Sequence, residues 1–115
     1  MVEIIVFREN GKIVGFKVSG HANFADEGED IVCAAISALG LTGVFATEKL
    51  CQLQEQMVEP DKGQLILEVP SNLNEEQQRT AETVIETVVI GMYATAKNYP
   101  EYVSIYDEGG EYTWK

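Results

Sequence analysis

The sequence predicts an α+β fold: a mostly antiparallel sheet with two packed helices, in the order ββ-α-ββ-α-β. Three observations support this prediction. An Asn10-Gly11 pair separates two β-branched runs, two longer stretches have helical character, and short strand-like runs follow each of them. The 115 residues are enough for one domain, spanning 1–115, and too few for two.

The start of the chain predicts a β-hairpin. VEIIVFR (2–8) is apolar and β-branched, and IVGFKVSG (13–20) alternates apolar and polar residues. The Asn10-Gly11 pair between them is the strongest short-range hairpin signal. A second strand pair is expected at roughly 55–60 and 64–70, around the turn 60–63 that contains proline and glycine.

Two helices are expected. The first runs from Ile31 to about Gln54, and we expect it to be largely buried because its first half is apolar on nearly every side. The second starts after the N-cap Asn74, carries apolar residues at helical spacing, and ends at Tyr99-Pro100. A last strand is expected over 101–108, EYVSIYDE.

The charge of the chain restricts its partners. Eight Lys+Arg against nineteen Asp+Glu give a formal net charge of -11. We therefore expect no direct binding of nucleic acid, which requires a basic surface for its phosphates. A basic protein partner would be attracted, although the same charge also serves solubility alone.

No targeting or membrane segment is expected. The most apolar stretch, 31–46, is interrupted by small and polar residues and falls short of the ~18 uninterrupted apolar residues of a membrane span. The N-terminus lacks the basic start and cleavage site of a signal peptide. We therefore expect a soluble, cytoplasmic protein without membrane contact.

The two cysteines predict neither a disulfide nor a metal site. In one helix, Cys33 and Cys51 would lie roughly 27 Å apart at ~1.5 Å per residue, whereas a disulfide needs Cα atoms within about 7 Å. A zinc site usually has about four close-spaced ligands, and the chain has a single histidine. No metal and no cofactor are expected, and Cys51 is interpreted as a packing residue.

The most informative stretch is GHANFADEGEDIVCAAIS, residues 20–37. Asp30 precedes the apolar run and is the expected N-cap, which places Cys33 in the first helical turn. The free N–H groups of a helix start would stabilise a thiolate and could receive an oxyanion. Ser37 would lie one turn further along the same face.

The carboxylates near Cys33 oppose this interpretation, because like charge raises the pKa of a thiol. A charged imidazole would compensate: the carboxylates would stabilise His21 as imidazolium, and His21 would stabilise the thiolate. The residues alone leave two alternatives open, a catalytic Cys/His pair and ordinary packing of a small residue in a helix.

These residues resemble the bacterial ribosomal-processing cysteine proteases. Gly20-His21-Ala22 and the run from Gly28 to Leu39 carry the resemblance, and V-E-P-D-x-G (58–63) and I-G-M…Y-P-E-Y-V (90–103) extend it over essentially the whole chain. That family removes an N-terminal extension from a large-subunit ribosomal protein, the twenty-seventh in the bacterial series. Its members are typically homodimers.

The resemblance implies roles for individual residues. The base would be His21, the nucleophile Cys33, and the supporting residues Asp30 and Ser37. No third residue that orients His21 is evident, so a dyad is expected. The substrate loop would contain Gly20, Ala22, Asp26, Glu27, Gly28 and Glu29, with Gly28 as a hinge. The alternative is a non-catalytic acidic module that binds a basic ribosomal protein or assembly factor.

Overall fold

The computed structural model describes residues 1–20, 27–53, 64–108 and 110–112. Within these ranges the strands are β1 (Val2–Glu9), β2 (Lys12–Ser19), β3 (Gln64–Glu68), β4 (Val103–Asp107) and the two-residue β5 (Gly110–Glu111). The helices are α1 (Glu27–Leu50) and α2 (Glu75–Asn98). The predicted α+β fold is confirmed, and the predicted strand at 55–60 lies outside the described residues.

The sheet has the strand order β3-β2-β1-β4-β5. β1 pairs antiparallel with β2 and parallel with β4, and the remaining two pairs are antiparallel. The sheet is therefore mixed but mostly antiparallel. The first strand of the chain lies at its centre, and β4 reaches its place beside β1 only after the chain has crossed over through α2.

The first hairpin forms at the predicted place. Asn10 and Gly11 both have positive φ, 53° and 80°, as a two-residue turn joining twisted strands requires. Beyond the turn, β1 and β2 pair from Glu3↔Ser19 to Glu9↔Lys12, with an irregularity between Phe7 and Arg8.

Both helices lie on one side of the sheet and share one core with it. Val2, Ile4 and Val6 of β1 are fully buried, as are Phe16 and Val18 of β2. The same core contains Val32, Ile36 and Val44 of α1 and Ile85, Val89 and Met92 of α2. The α2 boundaries agree with the prediction. Its N-cap Asn74 accepts a hydrogen bond from the Gln77 backbone N–H, and the Gln77 side chain accepts one from Asn74 in return.

The expectation that α1 is largely buried is wrong. Ile31 is 66% exposed and Phe45 55%, since only one side of the helix contacts the sheet and α2. By length and hydropathy alone, Ile31–Leu50 could also cross a membrane, a property that core helices of soluble proteins share. In this fold its inner side contributes Val32, Ile36 and Val44 to the core.

Candidate active site

The end of β2 is fixed by backbone contacts at Gly20. This residue has φ +90°, and a Cβ atom added there would lie 2.2 Å from the carbonyl oxygen of Met1. A side chain is therefore excluded twice, by the dihedral angle and by the neighbouring backbone. Sequence reasoning placed Gly20 in the substrate loop. The structure gives it a backbone role, which fixes where the chain leaves the sheet just before His21.

The start of α1 differs from the prediction. The helix begins at Glu27, so Asp30 is not its N-cap but lies within the first turn, and Cys33 is the seventh helical residue instead of the third. Glutamates have good helix propensity, and acidic residues in a first turn are favoured by the helix dipole. The helix therefore begins four residues before the apolar run on which the prediction was based.

This boundary changes the electrostatics expected at the thiol. The charge effect of a helix terminus falls off within its first turn. In an α-helix that begins at Glu27, the N–H of Cys33 falls beyond the first four, which are the ones left without an intrahelical acceptor. The predicted oxyanion donors at Cys33 are thus not provided by the helix start. A thiolate at Cys33 would therefore need stabilisation from other groups than the helix start.

Cys33 is half-buried and packs against the hydrophobic core. Its flanking residues Val32 and Ile36 are 2% and 0% exposed, so this part of α1 is anchored firmly on the sheet. Ser37, four residues on and one turn away along the same side, is also half-buried. The helix therefore holds the thiol and the Ser37 hydroxyl in fixed relative positions.

Cys33 and the end of β2 reach the same end of the molecule. Gly43 faces the Phe16 ring, to which an added Cβ would lie 3.3 Å away. From this contact, α1 runs back to Cys33 over roughly 15 Å at ~1.5 Å per residue. β2 runs from Phe16 to Gly20 over roughly 13 Å at ~3.3 Å per residue. Gly20 at the end of β2 and the start of α1 therefore lie toward the same end of the molecule.

Three predicted site residues, His21, Ala22 and Asp26, lie outside the described residues. Their roles therefore remain predictions. Glu27, Gly28 and Glu29 were expected in a loop with Gly28 as its hinge. In the structure all three belong to the first turn of α1, so the loop assignment is wrong for them.

The second cysteine is in a different environment. Cys51 is 2% exposed; its thiol donates a hydrogen bond to the carbonyl oxygen of Gln77 at 3.4 Å. Burial raises the pKa of the Cys51 thiol, which disfavours the thiolate. Within the described residues, Cys33 and Cys51 are not joined by a disulfide, and the burial of Cys51 supports its interpretation as a packing residue.

Comparison with known proteins identifies the family. The model of the family described as "Cysteine protease Prp" matches residues 1–104, which include both Gly20 and Cys33. The chain belongs to the cysteine protease Prp family. It is therefore a cysteine protease, and the resemblance inferred from its motifs is confirmed.

Curated relatives and solved structures agree with this assignment. The ribosomal processing cysteine protease Prp of Bacillus subtilis is 28% identical over 91% of this chain and 96% of its own length. That of Mycoplasma pneumoniae is 34% identical over 78% and 83%. SMU.848 from Streptococcus mutans has a similar structure, with a TM-score of 0.78, 29% identity and 93% coverage of each chain.

The fold is also that of Prp from S. aureus, solved in complex with a substrate peptide. That structure has a TM-score of 0.78 at 20% identity, covering 94% of this chain and all of the other. At this identity the similarity concerns the fold alone. Of the candidate site residues, the structure describes the α1 segment with Cys33 and the β2 end at Gly20.

Proposed function

We propose that this Prp-family protease removes the N-terminal extension of a bacterial large-subunit ribosomal protein, the twenty-seventh of the series, and so supports ribosome assembly. The family match over residues 1–104 carries the proposal. Relatives whose names describe them as ribosomal processing proteases support it. The -11 charge suits a basic ribosomal substrate, because opposite charge accelerates encounter.

In the proposed mechanism, Cys33 is the nucleophile and His21 the base. His21 takes the thiol proton, and the thiolate sulfur attacks the scissile carbonyl carbon. The C–N bond breaks as His21 returns the proton to the leaving amine, which leaves a thioester on Cys33. Water, deprotonated by His21, then hydrolyses the thioester and regenerates the thiol. Asp30 and Ser37 are proposed as supporting residues.

The same proposal covers location and assembly. The enzyme would act in the cytoplasm, where ribosomal proteins are made, and would do so as a homodimer. The exposed apolar side of α1 supports a homodimer, since a monomer rarely leaves a large apolar helix surface open to water. No cofactor is needed for the chemistry proposed.

The decisive experiment is a cleavage assay. Purified protein is mixed with the extension-bearing ribosomal protein, and the product mass is measured. We expect a shortened product with wild type and with the control Cys51→Ala. Cys33→Ala and His21→Ala should lose activity by at least about 10³-fold. Equal activity of Cys33→Ala and wild type would refute the protease mechanism, and binding without cleavage would favour the acidic binding module.

Thiol labelling provides a substrate-free check of the same site. Alkylation rates of the two cysteines are compared between about pH 5 and 8, where only an activated thiol is substantially ionised. Cys33 should label faster than Cys51, whose pKa is raised by burial. His21→Ala should remove the advantage of Cys33. Equally slow labelling of both cysteines in wild type would contradict the ion-pair mechanism.

A further inference from the structure

A small cavity lies between the first hairpin, the segment after β3 and the start of α2. Its volume is about 110 Å³. Ser71 and Gln78 line it and are themselves exposed, so the cavity opens to solvent. Most of the wall is apolar and is formed by Ile13, Val14, Val69, Pro70, Leu73 and Ala81.

The walls of the cavity favour an apolar occupant. Water in an apolar cavity lacks the two to four polar partners that it needs, whereas an apolar cavity of roughly 150 Å³ takes up benzene. At about 110 Å³ the present cavity is smaller. It therefore suits an aliphatic side chain better than an aromatic one.

The rim of the cavity is acidic. Glu9 and Glu82 both line it; Glu9 is exposed, and the Glu82 side chain is 28% exposed. Lys12 lies opposite Glu9 in the β1–β2 pairing, and its Nζ is 3.4 Å from Glu82 Oε1, so this rim already accepts one ammonium group. Because an ion pair with an exposed lysine contributes little, a cation from another molecule can compete for Glu82.

An apolar interior with an acidic rim matches the chemistry of lysine and arginine. Both side chains can bury an aliphatic stem while the charged end stays at the surface. A leucine or valine would fill the interior but leave the carboxylates unused, and an anion would be repelled by them. In a chain of net charge -11, a basic partner is also attracted from a distance.

The cavity is far from the proposed nucleophile. Leu39 packs against Gly91, and the end of α1 contacts the start of α2, so the two helices are antiparallel. Glu82 precedes Gly91 by nine residues, roughly 13 Å, and Cys33 precedes Leu39 by six residues, roughly 9 Å in the opposite direction. The separation of roughly 22 Å along the helices corresponds to about six or seven residues of extended peptide.

We propose that the cavity binds a lysine or arginine side chain of the basic substrate, at least about six residues away from the bond that is cleaved. The aliphatic stem occupies the apolar interior, and the cationic end binds Glu9 and Glu82 and displaces Lys12 from Glu82. The cavity holds the substrate and takes no part in the chemistry. The inference rests on the proposed function, since it assumes that this chain cleaves a basic ribosomal protein.

The first experiment compares two substrates: the extension-bearing ribosomal protein and a peptide with about four residues on each side of the cleaved bond, too short to reach the cavity. Glu9→Gln combined with Glu82→Gln should raise the KM for the ribosomal protein about fivefold or more and leave its kcat unchanged. For the short peptide, both KM and kcat should stay at the wild-type values, which also shows that the variant is folded.

The matched control removes the same charge elsewhere. Glu75→Gln combined with Glu86→Gln changes two exposed positions of α2 that do not line the cavity. Because distant exposed charges are screened by salt, the control should raise the KM for the ribosomal protein less than about twofold. An equal rise in the two double variants would mean that only net charge matters, and would overturn the inference.

Lys12→Met should have the opposite effect. It frees Glu82 for the substrate, so the KM for the ribosomal protein should fall. Lys49→Met makes the same change of charge at an exposed position of α1 and should lower the KM less. Equal effects of the two substitutions would contradict a competition between Lys12 and the substrate.

Alkyl ammonium ions test the role of the apolar interior. Butylammonium and ethylammonium carry the same charge, but only butylammonium has the four-carbon stem of lysine. At equal concentration and ionic strength, butylammonium should raise the KM for the ribosomal protein more than ethylammonium, and neither ion should affect the short peptide. Equal inhibition by the two ions would show that the interior contributes nothing to binding.

The outcomes distinguish this inference from the proposed function. If wild type cleaves neither substrate, the proposed function fails and the inference fails with it. If wild type cleaves both substrates and the Glu9/Glu82 double variant keeps the wild-type KM for the ribosomal protein, the proposed function stands and the inference is overturned. A rise in KM of the same size for both substrates would also overturn it, because the substitutions would then act on the active site.

Discussion

At the scale of single residues, Gly20 shows how the site depends on a position without a side chain. Its positive φ and the adjacent Met1 carbonyl leave no room for a Cβ atom. Because His21 is the next residue, any shift of Gly20 displaces the start of the segment that carries the proposed base. The G-H-A motif therefore combines a conformational requirement with a chemical one.

Replacing Gly20 with alanine should lower both stability and activity. Gly11→Ala is a matched control, because Gly11 also has positive φ but no neighbour within 4 Å. The control should lose about 1 kcal/mol, the backbone effect alone. Gly20→Ala should lose more than that and cut the cleavage rate. Denaturant unfolding and the cleavage assay measure the two effects, and equal losses for the two variants would contradict the steric argument.

Cys33, His21 and Gly20 could be proposed as site residues from the sequence because residue type and spacing are local information, and the catalytic roles of Cys33 and His21 stay predictions. The effect of the helix start on the Cys33 thiol could not be predicted, because it depends on the residue at which α1 begins. The sequence of Glu27 to Asp30 is compatible with a helix and with a capping loop. Contacts with the rest of the fold decide which of the two conformations forms.

At the scale of elements, the two helices are tied together by Gln77. Its side-chain amide donates a hydrogen bond to the Cys51 carbonyl oxygen at 2.8 Å, and its side-chain oxygen accepts one from the Asn74 N–H at 3.1 Å. One side chain therefore caps α2 and holds the segment that follows α1. The sequence predicts the Asn74 cap, but the link to Cys51 spans 26 residues and is visible only in the structure.

Gln77→Glu separates these two roles. The carboxylate keeps the oxygen that caps Asn74 but loses the donor to the Cys51 carbonyl, so we expect a loss of about 1–3 kcal/mol in the free energy of unfolding. Gln78→Glu adds the same charge at an exposed neighbouring position and should change stability by less than about 0.5 kcal/mol. Similar values for both variants would show that the link is unimportant.

At the scale of the whole molecule, Arg8 joins parts of the chain that are far apart in sequence. Its Nε donates to the Asp107 carboxylate at 2.6 Å and its guanidinium donates to the Gly11 carbonyl oxygen at 3.0 Å. The guanidinium carbon also lies 5.8 Å from the Tyr112 ring centroid. The Arg8 side chain thus contacts the hairpin turn, β4 and the segment after β5.

Arg8→Met should therefore destabilise the fold by about 1–2 kcal/mol, since it removes charged hydrogen bonds from a partly buried position. Lys12→Met is the control. Lys12 contacts Glu82 at 3.4 Å, but its side chain is 61% exposed, and exposed pairs contribute little. Thermal unfolding of both variants measures the difference. A larger loss for Lys12→Met would show that Arg8 does not organise this end of the sheet.

The whole-molecule arrangement was only partly predictable. The element order and helix count follow from periodicity, whereas the parallel pairing of β1 with β4 depends on contacts about 100 residues apart. The exposure of α1 was missed for a related reason. An exposed apolar residue and a buried one look alike in sequence, so the sequence could not show that Val44 is buried in the core and Phe45 is exposed.

The central position of β1 has a consequence for synthesis on the ribosome. β1 is translated before the other strands of the sheet but pairs on one side with Val103–Asp107, which are translated about 100 residues later. At synthesis rates of roughly 5–20 residues per second, that side of β1 stays unpaired for about 5–20 seconds. An unpaired apolar strand is a template for aggregation. Pairing with β2 covers only the opposite edge of β1, so the edge that will bind β4 stays open to other chains until β4 emerges.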